Sequence, residues 1–99
     1  MRVIFHLEAS AEVRDAARFY GDRASGLGER FLAELHSTIQ RIQEMPDGGS
    51  IVEANVRMRN LRGFPYSVYY EWMESGDLFV MVLRHHSRHP DYWRHRLDD

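Results

Sequence analysis

The last part of the chain, "VLRHHSRHPDYWRHR" (82–96), sets four arginines and four histidines within fifteen positions. A second basic run, Arg57, Arg59 and Arg62, lies earlier. Guanidinium groups bind carboxylates and phosphates through two parallel N–H donors, and imidazoles exchange protons near neutral pH. These types suit recognition of an anion, or acid–base work on a phosphodiester. His85, His86 and His89 are interrupted by arginine and have no cysteine to join them, so no metal site and no cofactor is expected. Histidines in this tail are expected to hydrogen-bond a sheet edge or to shape a polar rim.

Every basic residue among the 13 Lys+Arg positions is arginine. A mechanism with lysine as general base is therefore excluded. The chain has 99 residues, 43% hydrophobic and 12% aromatic, with a formal charge of −2 and no cysteine. That describes one globular domain over 1–99 with a modest core, no disulfides and no apolar run of membrane-spanning length. A soluble, cytoplasmic protein is expected.

The elements that must carry these groups follow from periodicity. "RVIFHLE" (2–8) alternates as a strand, with Val3, Phe5 and Leu7 on one face. Ser10 offers a helix N-cap, and Val13, Ala16, Ala17 and Tyr20 form an apolar stripe. After "SGLG" (25–28), a second helix carries Leu27, Phe31, Leu35, Ile39 and Ile42, until Pro46 and "DGG" stop it. "IVEANVRM" (51–58) alternates Val52, Ala54, Val56 and Met58 against Glu53, Asn55, Arg57 and Arg59. "YSVYYEWM" (66–73) and "LFVMVLR" (78–84) flank the turn "ESGD", and the second, apolar on both faces, is expected centrally. The fold predicted is α+β, in the order β-α-α-β-β-β. An αα-hairpin packs on one face of a small, mainly antiparallel sheet, and a short C-terminal helical turn begins at Pro90.

If Val52, Ala54, Val56 and Met58 face the helices, Arg57 and Arg59 must point to the open face. Arg62 follows in a loop, Arg84 ends a strand, and the tail leaves that same edge. The two basic stretches are therefore expected to converge there, with Arg57, Arg59, Arg62, Arg84, His86, Arg88, Trp93 and Arg96 as the binding surface. Tyr92 and Trp93 are expected to pack the closing turn against the sheet.

Four stretches in order resemble the ParE branch of the RelE/ParE superfamily of type II toxins, the plasmid stabilisation proteins. They are "AARFYGDRASGLGERFLAEL" (16–35), "IQEMPDGG" (42–49), "RNLRGFPYSVYYEW" (59–72) and "VLRHHSRHPDYWRHR" (82–96). The resemblance implies a cytoplasmic toxin held by a cognate antitoxin whose C-terminal segment wraps it, as a homodimer or a toxin–antitoxin hetero-oligomer. ParE-like relatives poison DNA gyrase, whereas RelE-like ones cut mRNA on the ribosome. RNA cleavage needs an acid, a base and cations on the phosphate. Where the ribonucleases place an arginine two residues before Val-Tyr, this chain has Tyr66. Arginines are poor proton acceptors, so a nuclease built from this chain would combine Arg57 and Arg59 with His86 and Tyr92, or with His95. Gyrase inhibition is the favoured expectation. An mRNA endonuclease, or a divergent member that only binds, is the alternative. The antitoxin is expected on the groove along the helices, an open strand edge or the basic tail.

Overall fold

The computed structural model describes residues 2–98. The strands β1 (Val3–Phe5), β2 (Ser50–Glu53), β3 (Val56–Asn60), β4 (Tyr66–Trp72) and β5 (Leu78–His85) form one sheet in the order β1-β5-β4-β3-β2, antiparallel except where β1 runs parallel to β5. Two helices, α1 (Leu7–Arg23) and α2 (Leu27–Glu44), cover one face as the expected αα-hairpin. Their crossing is close: a Cβ on Gly28 would stand 2.6 Å from the Ala17 carbonyl oxygen, so only glycine fits there.

Helix α1 begins earlier than its periodicity suggests, and β1 is correspondingly short. The N-cap is His6, whose Nδ1 accepts the Glu8 N–H at 3.0 Å, and not Ser10. The cap lets Leu7–Ala9 form the first turn and delivers Ala9 to the core. Strand 51–58 also resolves differently. It is a hairpin of β2 (Ser50–Glu53) and β3 (Val56–Asn60), turning through Ala54, at φ 48°, and Asn55. Strand β4 (Tyr66–Trp72) lies in the middle of the sheet, and β5 beside it is internal.

The sheet is covered on both faces. Under the helices, Val68, Tyr70, Leu78, Val80 and Leu83 pack with Phe31, Leu35, Ile39 and Ile42. On the far face a smaller core gathers Val56, Tyr69, Met81 and Val82 around Trp93 of the tail, with Val52 and Met58 beside it. A bulge in the β4–β5 register lets the successive residues Met81 and Val82 both join this second core.

That second core overturns the expected sidedness of β3. Val52, Val56 and Met58 face away from the helices, and Arg57 and Arg59 lie on the helix side, in register with Tyr70 and Val68. The physical reason is that the tail supplies the far face with its own apolar cover. The apolar set of β3 buries under Trp93, and period two then sends the arginines the other way.

Candidate functional site

Loop 61–65 and the turn after β5 meet at one end of the sheet, joined by the His86 N–H donating to the Pro65 carbonyl at 2.9 Å. On the far face of this end, Ser67 of β4 is fully buried and donates its hydroxyl proton to Asn60 Oδ1 at 2.5 Å. His86 Nε2 stands 3.0 Å from the same Ser67 oxygen. Because the hydroxyl has one proton and Asn60 takes it, His86 Nε2 is the donor in that bond. His86 is thus an exposed imidazole fixed at one nitrogen, with Nδ1 as its remaining acceptor.

Arg84, one pairing step across from Ser67, shapes the turn that follows. Its Nη2 donates to the carbonyls of Arg88 at 2.8 Å and His86 at 3.3 Å. Its buried Nε makes no hydrogen bond with the described residues. Arg88 is exposed and lies over the Tyr92 ring, 3.8 Å from its centroid. His85 and His89 each use Nδ1 to accept the backbone N–H two residues on, from Ser87 at 3.0 Å and Asp91 at 3.1 Å. Among the described residues no cluster of three His, Cys, Asp or Glu is arranged to hold a metal ion.

Arg62, Arg84, His86 and Arg88 therefore stand at the same end of the sheet. Arg62 has its backbone N–H bonded to Glu34 Oε2 at 2.7 Å, while its side chain is exposed. Burial raises the Glu34 carboxyl, but that N–H together with the Thr38 hydroxyl and Arg41 outweighs it, and the net pKa is lowered.

The other predicted residues lie elsewhere. Arg57 Nη1 donates to the carbonyls of Gly49 at 2.9 Å and Asp47 at 3.3 Å, and Arg59 Nη1 reaches the Arg41 carbonyl at 3.5 Å. Both donate to carbonyls at and beyond the C-terminal end of α2, where a cation also meets the negative end of the helix dipole. Trp93 is 0% exposed, edge-to-face with Tyr69 at 5.1 Å, its indole N–H donating to the Pro90 carbonyl at 2.7 Å. Arg96 is 4% exposed and donates to both Glu12 carboxylate oxygens at 2.8 and 2.9 Å. The expected common surface of eight residues thus divides into a group at one end of the sheet, a helix-capping group and two buried anchors.

The same geometry separates the acid, base and phosphate ligands of the nuclease alternative. Arg57 and Arg59 lie across the sheet from His86. Tyr92 donates its hydroxyl to Glu12, and burial followed by that bond holds its phenol well above the usual tyrosine range. In this arrangement the hydroxyl proton is committed to Glu12 and not open to a leaving oxygen. His95 meets Glu8 at 2.8 Å, away from the Ser67 cluster.

Sequence reasoning missed Asn60 and Ser67. The one signal was a lone hydroxyl inside the apolar strand "YSVYY". Glu12 was missed as well, since two residues past the expected Ser10 cap it reads only as an anion favoured by the helix dipole.

An αα-hairpin on one face of a mainly antiparallel five-stranded sheet, closed by a C-terminal turn, is the fold of RelE/ParE-superfamily toxins. The model of the ParE toxin of the type II toxin–antitoxin system parDE matches residues 3–90, and the chain belongs to that family. Among solved structures it is similar to a chain of the chromosomal ParDE toxin–antitoxin system from P. aeruginosa, at 14% identity and TM-score 0.65, covering 86% of this chain and 95% of that one. It is also similar to the isolated E. coli RelE toxin, at 17% identity and TM-score 0.62, covering 98% of this chain and 96% of that one. No curated protein matches.

Proposed function

We propose that this chain is the toxin of a type II pair that acts by binding DNA gyrase, and that a cognate antitoxin neutralises it. The observation that carries the choice of binding over catalysis is the fate of Tyr92. Its hydroxyl is bonded to Glu12, and Arg57 lies on the opposite face from His86. Arg62, His86 and Arg88, exposed, with Arg84 half-buried beside them, support a contact surface for an anionic partner at one end of the sheet. Gyrase is cytoplasmic, so this reading puts the toxin in the cytoplasm as well.

A second reading, mRNA cleavage on the ribosome, is favoured by one feature: His86 is anchored by Ser67 beside Arg84. The two are separated by adding purified protein to gyrase supercoiling reactions and, in parallel, to ribosomes translating a defined mRNA. Accumulation of cleaved plasmid, reduced by Arg88→Ala and His86→Ala, is the expected result. Codon-positioned mRNA cuts lost in His86→Ala, with supercoiling unaffected, would replace gyrase poisoning by nuclease action. Coexpression of the antitoxin is expected to restore growth and to yield a co-purifying complex. Normal growth of cells accumulating folded protein alone would sink the toxin reading itself.

A further inference from the structure

The opposite end of the sheet, on the helix side, holds a concavity of about 390 Å³ bounded by Pro46, Asp47, Asn55, Arg57, Tyr70 and Trp72. Three of its features are unexplained by packing. Trp72 is 39% exposed, in a chain whose other tryptophan is wholly buried. Arg57 is only 29% exposed, and its plane is fixed by the two carbonyls that Nη1 serves. Its Nη2 has only a loose ion pair, 4.0 Å from Asp47, whose own side chain is 94% exposed. Neither Nη2 nor Nε of Arg57 hydrogen-bonds a described residue. The floor is closed: the Tyr70 hydroxyl donates to the Pro46 carbonyl at 2.7 Å.

Each wall asks for a different chemistry. A held guanidinium with donors to spare takes an oxyanion through two parallel N–H groups. An uncovered indole face takes a flat ring, and stacking there is tolerant of which ring. The Asn55 amide, at the hairpin turn beside them, offers a donor and an acceptor to a ring edge. An isolated carboxylate would leave the indole without a role, and an apolar side chain would leave the guanidinium without one. The volume lies within the usual span for small-ligand sites, roughly 300–1,000 Å³.

We propose that this cavity binds a nucleoside phosphate, its ring on the Trp72 indole and its phosphate on Arg57. The site is separate from the His86 end of the sheet and does not depend on gyrase being the target. A free nucleotide and a nucleotide within a single strand present the same ring and phosphate.

The test follows the two indole N–H signals by NMR during titration of the full chain. Adenosine 5′-monophosphate is expected to shift the Trp72 signal saturably and to leave the buried Trp93 signal in place. Adenosine and inorganic phosphate should each bind roughly tenfold more weakly, as should adenosine 5′-monophosphate to Trp72→Leu (read at the neighbouring backbone amides) and Arg57→Lys. Arg57→Lys keeps a positive donor for the carbonyls, and an unmoved Trp93 signal verifies its fold. A 5′-phosphorylated tetranucleotide binding more tightly than the mononucleotide identifies a strand as the source, and equal or weaker binding identifies the free nucleotide. Absence of a saturable shift with either probe, an equal response to tetraglutamate, or undiminished binding in both variants overturns the site.

Discussion

Glu12 and Arg96, 84 residues apart, form a two-bond ion pair that closes the free edge of β5. Strand β1 pairs β5 only as far as Val80, whose carbonyl accepts the His6 N–H. Beyond that point Glu12 accepts the Leu83 N–H at 3.1 Å, and Arg96 donates to the Met81 carbonyl at 3.0 Å. The pair thus supplies the ladder partners that a sixth strand would have given, and fastens the tail over the second core. A half-exposed helix and a C-terminal segment are tied through one strand edge that neither covers alone.

Arg96→Ala should therefore lower unfolding stability by about 3–5 kcal/mol, because it leaves Glu12 and the Met81 carbonyl without their partner. Urea titration followed by circular dichroism measures it. The double variant Glu12→Gln/Arg96→Met should recover much of the loss, since no uncompensated charge remains. A single-variant loss below about 1 kcal/mol would mean the pair contributes little.

Trp93→Ala should cost about 3–5 kcal/mol by opening a cavity against Tyr69 and Val82. Hydrogen exchange should then accelerate in β5 and the tail before it does in α2. Uniform acceleration across the chain would show that the second core is not a separable unit.

Arg57→Ala should destabilise by about 1 kcal/mol, through the Gly49 carbonyl that loses its guanidinium donor, and Arg59→Ala by less, because the Arg41 carbonyl keeps the Met45 N–H. Arg62→Ala should stay within about 0.5 kcal/mol, as its side chain is exposed and its backbone N–H still reaches Glu34. Thermal melts of the three variants side by side decide this, and an equal, negligible effect of all three would return Arg57 and Arg59 to a solvated surface.

Stability should fall in acid through Asp77 and Glu34. The Arg2 N–H is the chief cause that holds the Asp77 carboxyl below its ordinary 3.8, and Glu34 lies below its ordinary 4.5 for the reasons given above. Both pKa values are lower folded than unfolded, so the contribution is present above those ordinary values. It is lost as pH falls through the folded ones. Asp77→Asn and Glu34→Gln should flatten the dependence of unfolding free energy on pH below about 4.5, a slope identical to the parent's removing both groups from the account.

Much of the fold was legible because local periodicity is a property of the chain itself. The stripe Phe31, Leu35, Ile39 and Ile42, the break at Gly26 and the turn before Asp77 each report on neighbours a few residues apart. The split at Ala54–Asn55 was hidden, since a two-residue turn preserves the alternation on either side of it. Arg62, Arg84, His86 and Arg88, four of the eight residues expected on one open face, lie together at one end of the sheet, because loop 61–65 and the end of β5 are adjacent by topology.

By itself the sequence determined which residues of β3 share a face: Val56 with Met58, and Arg57 with Arg59. Which face that is was decided only by tertiary structure. Alternation fixes relative sidedness, and burial by a distant segment fixes the absolute choice. Trp93, more than thirty residues away, gave the far face a core of its own and so turned the arginines toward the end of α2. The partnership of Glu12 with Arg96 is of the same kind, a contact that exists only once the strand edge between them has formed.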